Sequence, residues 1–74
     1  MNFREELGHR LVLLRHVRNM TQVEVAQKIG TTRDVISHWE LGTRTVPADY
    51  IAKLATFYRV SSDYILGLKD GVLK

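Results

Sequence analysis

The chain has no cysteine. That excludes disulfides, thiolate nucleophiles and cysteine-rich zinc sites together. Its one proline, Pro47, and five glycines leave no proline- or glycine-rich linker. No apolar run approaches the roughly 20 residues of a transmembrane helix, and no signal-peptide pattern is present, so the expected compartment is the cytoplasm. The 74 residues allow one domain, expected over 1–74 with a short tail from 67 to 74. A chain this short has little room for a deep pocket with supporting side chains, so an enzyme is not expected. Charge of one sign is also scarce. Eleven Lys and Arg face eight Asp and Glu, a net +3 that suits a polyanionic partner without demanding one. What is present is an ordinary apolar content of 45%, enough for a folded core.

The apolar residues recur at helical spacing, and no alternating stretch reads as a strand. A first helix is expected from about Asn2 to Arg18, with Phe3, Leu7, Leu11 and Leu14 on one stripe. Thr21-Gln22-Val23-Glu24 has the capping-box pattern and opens a second helix. Val25, Ala26 and Ile29 face inward there, and Gly30 ends it. A third helix follows Thr32 and stops before Gly42. A fourth starts after Pro47 and buries Ile51, Leu54, Ala55 and Tyr58. Ser61 caps a short fifth, which Gly67 stops. The expected fold is all-α, with five helices.

The connection Gly30-Thr31-Thr32 is too short to let helices two and three lie side by side, so they must cross steeply. Ala26 allows their close approach, and Ile36 and Trp39 fill the angle. This is the layout of a helix-turn-helix. At about 100° per residue, Arg33, Asp34, Ser37 and His38 share one side of the third helix, while Val35, Ile36 and Trp39 share the other. Arginine can pair with guanine O6 and N7, and aspartate can accept from cytosine N4. Serine and histidine adapt to several bases. On periodicity alone, a plain solvated helix face is the favoured reading.

The ordered set Leu7-Gly8-His9-Arg10-Leu11, Leu14-Arg15, Thr21-Gln22, Val25-Ala26, Ile29-Gly30 and Ile36-Ser37-His38-Trp39-Glu40-Leu41-Gly42 resembles the Cro/repressor-type helix-turn-helix family. That family, also called the xenobiotic-response-element family, includes lambdoid phage repressors. Leu54-Ala55 and the run from Val60 to Gly67 resemble its closing helices. The match spans residues 5 to 67.

The resemblance implies a bacterial or phage transcriptional regulator of double-stranded DNA, a repressor without a cofactor. It implies a homodimer on a pseudo-palindromic operator, and hence a cytoplasmic protein at the nucleoid. It implies base reading by Arg33, Asp34, Ser37 and His38. It places Gln22, Thr32 and Arg44 at phosphates, and ties Arg15 to Glu40 between helices one and three. The fifth helix and tail, through Ile65, Leu68, Val72 and Leu73, are the expected dimer contacts.

Several residues depart from the family pattern. Asp34 puts a negative charge on the DNA side. It either reads cytosine, orients Arg33 or repels wrong sequences, or it simply steadies the helix dipole. Leu13 and Val17, off the main stripe together with Val12, either pack on the tail or a second subunit, or are scattered surface apolars. His9 and His16 share a helix face but lack a third ligand at regular spacing, so no metal is expected. Asp34, Ser37 and His38 would sit on a convex face open to water, which is unsuited to catalysis. The competing function is a protein-interaction module, an antitoxin or coactivator with an unidentified protein partner.

Overall fold

A computed structural model describes residues 2–68, and among them the chain forms five helices and no strand. They are α1 (Phe3–Val17), α2 (Gln22–Ile29), α3 (Arg33–Leu41), α4 (Ala48–Tyr58) and α5 (Ser62–Leu66). Local chemistry sets their ends. The Thr21 hydroxyl accepts from the Glu24 N–H at 3.1 Å, and the Glu24 carboxylate accepts from the Thr21 N–H at 2.8 Å. Asn2 and Glu5 make a second capping box at α1, one that was not expected from the sequence. Ser61 accepts from the Tyr64 N–H at 3.0 Å. Gly30, Gly42 and Gly67 end their helices in the left-handed conformation.

The core draws on every helix. Leu7 and Leu11 meet Val25, Ala26, Ile29, Ile36 and Trp39, and Ile51, Leu54, Ala55, Tyr58 and Ile65 close it from the other side. The Trp39 and Tyr50 rings lie 5.1 Å apart, tilted, which joins α3 to α4. Helix α1 packs across both α3 and α5. Two of its arginines, and Arg18 at its C-cap, reach chain segments where carbonyls lack helical partners. Arg10 donates to the Ile65 carbonyl at 2.9 Å, Arg15 to that of Met20 at 2.9 Å, and Arg18 to that of Tyr58.

Two expectations need correction, and one set of open alternatives narrows. Phe3 is 57% exposed rather than part of the buried stripe. It begins α1 a full turn before Leu7, at the rim of a small depression. Ile65 is 0% exposed. The single short turn of α5 can plug the core with only one such residue, so Ile65 has no surface to offer a second subunit. Leu13 and Val17 stay exposed, and Leu68 is exposed as well, so Leu68 does not cover them. Val72 and Leu73 lie outside the described residues.

Gly8 is buried inside α1. A Cβ there would sit 2.5 Å from the Trp39 carbonyl oxygen and closer still to that of Glu40. The missing side chain lets α1 touch the end of α3 backbone to backbone. In an unpacked helix, Gly→Ala gains about 1 kcal/mol. Here the sign should reverse. Gly8→Ala is expected to destabilise by on the order of 1–3 kcal/mol in denaturant unfolding, through overpacking. Gly30 has φ +87° and open space around it, so Gly30→Ala should cost only backbone strain, about 1–2 kcal/mol. A more stable Gly8→Ala variant would mean that α1 and α3 do not approach so closely.

Candidate nucleic-acid interface

Helix α3 is held from behind and left bare in front. Ile36 and Trp39 are buried and Val35 is partly buried. Arg33 and Asp34 are exposed, and Ser37 and His38 are half-buried on the same side. The helical wheel is thus realised, with all four candidate base readers on one face. The Thr32 hydroxyl caps the helix by accepting from the Val35 N–H at 3.3 Å. Its own proton remains available for an outside acceptor.

The far end of α3 is locked by Glu40. Its carboxylate takes Arg15 in a two-pronged pair, Nε to Oε2 at 2.8 Å and Nη2 to Oε1 at 3.0 Å. The side chains are 13% and 5% exposed. The hydrogen bond to Glu40, outweighing burial, raises the Arg15 pKa above its ordinary value. Burial first, and then the Glu40 charge, push the Tyr58 hydroxyl up to about 12. Neither group changes charge near neutral pH.

Gln22 has a second role that its place in the sequence does not reveal. Its amide Nε2 donates to Glu40 Oε1 at 2.9 Å, which brings the start of α2 to the same carboxylate. An amide has two N–H groups, so this bond engages only one of those of Gln22. Arg33 borders a shallow depression together with Arg15, Met20, Thr21, Gln22 and Val23, so the first turns of α2 and α3 share one surface.

Asp34 is placed by its neighbours. Its Oδ2 lies 3.8 Å from His38 Nε2, one helical turn on. It also occupies the first turn of α3, where a negative charge suits the dipole. Arg44 is exposed in the loop after α3, where it lines a depression with Arg4 of α1. Arg4 is a second cation at this edge that no sequence spacing pointed to. Leu41, the last residue of α3, is an exposed apolar side chain beyond Ser37 and His38. Among the described residues no group of three or more His, Asp or Glu could hold a metal ion. None of the described helices is long and apolar enough to cross a membrane.

The Arg15–Glu40 pair is a direct test of how α3 is fixed. Breaking a buried pair strands one charge, so Arg15→Met or Glu40→Leu alone should cost on the order of 3 kcal/mol. The double variant should cost at least about 1 kcal/mol less than the sum of the two. Denaturant unfolding of the four proteins measures this. Additivity within about 0.3 kcal/mol would mean that the two residues do not interact.

Comparison with known proteins places these features. The family model described as "Helix-turn-helix" matches residues 15–65. The HTH-type transcriptional regulator ImmR of Bacillus subtilis (strain 168) is 40% identical over 68 residues, covering 92% of this chain and 53% of its own. The uncharacterized HTH-type transcriptional regulator YobD of the same organism is 39% identical over 61 residues, covering 82% and 54%. The chain thus spans about half the length of the curated relatives it matches. Among solved structures, the P22 c2 repressor in complex with synthetic operator 9T superimposes with a TM-score of 0.76 at 22% identity, over 80% of this chain and 89% of that one. ClgR, the clp gene regulator from C. glutamicum, gives 0.80 at 24% identity, over 89% and 86%. At these identities the two structures speak to the fold. With the motif covering residues 15–65, the chain belongs to the helix-turn-helix family, whose Cro/repressor-type pattern its sequence resembles.

Proposed function

We propose that the chain is a sequence-specific binder of double-stranded DNA that represses transcription by occupying an operator. The observation that carries this is the bare face of α3, with Arg33, Asp34, Ser37 and His38 on an element anchored by Ile36, Trp39 and Glu40. A rigidly held helix with polar groups on its convex side is what a major groove admits. The first turns of α2 and α3 would meet the sugar–phosphate backbone through the remaining Gln22 N–H, the Thr32 hydroxyl and free helix N-terminal amides. Arg44 would grip a further phosphate. The solved P22 c2 repressor is bound to an operator, which supports the same use of a similar fold.

Reading and gripping are separable. Arg33→Ala should cost roughly 1–3 kcal/mol on the selected operator and relax preference at one base pair per half-site. Arg44→Ala should weaken selected and scrambled duplexes by similar factors. It should also reduce the salt slope by about one unit for each phosphate no longer neutralised, about two in a dimer. Mobility shifts across a salt series measure both. Equal losses for Arg33→Ala on both duplexes would put the reading surface elsewhere. No effect from either variant would favour a surface that binds protein instead.

A homodimer on DNA is part of the same proposal. The longest extent of the molecule is 33 Å, close to the ~34 Å of one duplex turn, so one chain suits one half-site. Leu68, exposed beyond α5, is the described residue that such a pairing would use, with Val72 and Leu73 following it in sequence. Light scattering of the complex should give two chains per operator. One chain per operator would overturn the dimer.

A further inference from the structure

The loop residue Thr43 faces the ring of His38 on the exposed side of α3. Its Oγ1 lies 2.7 Å from His38 Nδ1. Either atom can donate in such a pair, so the direction depends on where else the hydroxyl proton can go. The alternative acceptor is the His38 carbonyl, 3.3 Å from Oγ1. That carbonyl already receives the Thr43 N–H at 3.0 Å and the Gly42 N–H. The hydroxyl meets that carbonyl only at 3.3 Å, where the Thr43 N–H and a Gly42 N–H shared with the Trp39 carbonyl compete, so the shorter 2.7 Å contact makes Nδ1 its better acceptor. The neutral ring then carries its proton on Nε2. The Asp34 carboxylate, 3.8 Å from Nε2, favours a proton at that nitrogen as well.

We propose that Thr43 and Asp34 hold His38 as its Nε2–H tautomer, and that Asp34 and His38 together read adenine. The Asp34 carboxylate accepts from the N6 amine, and His38 Nε2–H donates to N7. Asparagine and glutamine read adenine with an acceptor and a donor on one carboxamide. Here the same two functions come from two side chains one helical turn apart. Guanine presents two acceptors, N7 and O6, and a carboxylate facing either is repelled. Cytosine satisfies Asp34 through N4, but its own edge leaves the imidazole N–H without a partner. Thr43 touches no base and acts as a positioning residue. The proposal rests on α3 being the DNA-reading helix.

The tautomer is tested without DNA, by nitrogen-15 NMR of the histidine rings at pH 8, above the ordinary histidine pKa of about 6.5. His38 Nδ1 should be the unprotonated nitrogen. Thr43→Val should admit a share of the Nδ1–H form, and Thr43→Ser should not. A protonated Nδ1 in the unaltered chain overturns the assignment. The base is tested by selecting a binding site and then replacing the predicted adenine with 7-deazaadenine, which lacks N7, or with purine, which lacks the amine. Each replacement should weaken binding by roughly tenfold, the scale of a single hydrogen bond to a base edge. The 7-deazaadenine effect should vanish in His38→Ala, and the purine effect in Asp34→Ala. Selection of a base other than adenine there, or effects that persist in those variants, overturns the composite reader. If the chain selects no DNA sequence at all, the proposed function itself fails, while the NMR result still judges the tautomer.

Discussion

Glu40 carries its charge to a place where only 5% of its side chain meets water, and three helices converge on it. Arg15 brings α1, Gln22 brings the first turn of α2, and Glu40 itself is the next-to-last residue of α3. An ion so buried is stable only when well supplied with donors, and here two from the guanidinium and one from the amide occupy three of its roughly four acceptor positions. Apolar packing can hold two helices together while still letting one slide along the other. A carboxylate with three directed donors does not permit sliding. The axial position of α3, and so the height of its four outward side chains, follows from this one group.

Close approach completes what the ion pair begins. Gly8 sets the separation of α1 and α3 at backbone contact, and Gly42 does the same for the turn that ends α3, since a Cβ there would lie 2.7 Å from Glu5 Cα. The arginines of α1 and its C-cap serve the same assembly. Arg10, Arg15 and Arg18 each donate to a backbone carbonyl of another segment. Part of the positive charge counted in the composition is therefore used inside the fold. Among the other described cations, Arg33 is exposed at the start of α3 and Arg44 lines one depression with Arg4 beyond its end, while Lys28, Lys53 and Arg59 are exposed on other parts of the surface.

Much of the fold was legible because helix ends are written locally. A hydroxyl followed three residues later by a carboxylate caps α2 whatever surrounds it, and glycine after an apolar run ends a helix by its own conformational freedom. The buried sets of α2 and α4 followed from spacing alone. The candidate site was legible for a related reason. When Ile36 and Trp39 must point inward, helical geometry leaves Arg33, Asp34, Ser37 and His38 outward. The errors fell where an element ends or is very short. Phe3 has the periodicity of its helix, but no described segment extends far enough to cover it. Ile65 looked like spare apolar surface, because nothing in five residues says that the core has a hole their side chain must fill.

The sequence by itself determined the five helices, the caps of α2, α3 and α5, the steep turn between α2 and α3, and which side of α3 faces out. Each of these depends on residues within one or two turns of one another. Tertiary structure alone decided the rest. The reason Gly8 must be glycine lies 31 residues away, in the carbonyl oxygen of Trp39. Gln22 is bound to Glu40 across 18 residues, so its amide serves the fold as well as the surface. Even the short link from Thr43 to His38 depends on how the loop folds back over the end of α3. These contacts join groups that helical periodicity treats as independent. Only the packed arrangement of helices gives them their distances, and with those distances their chemistry.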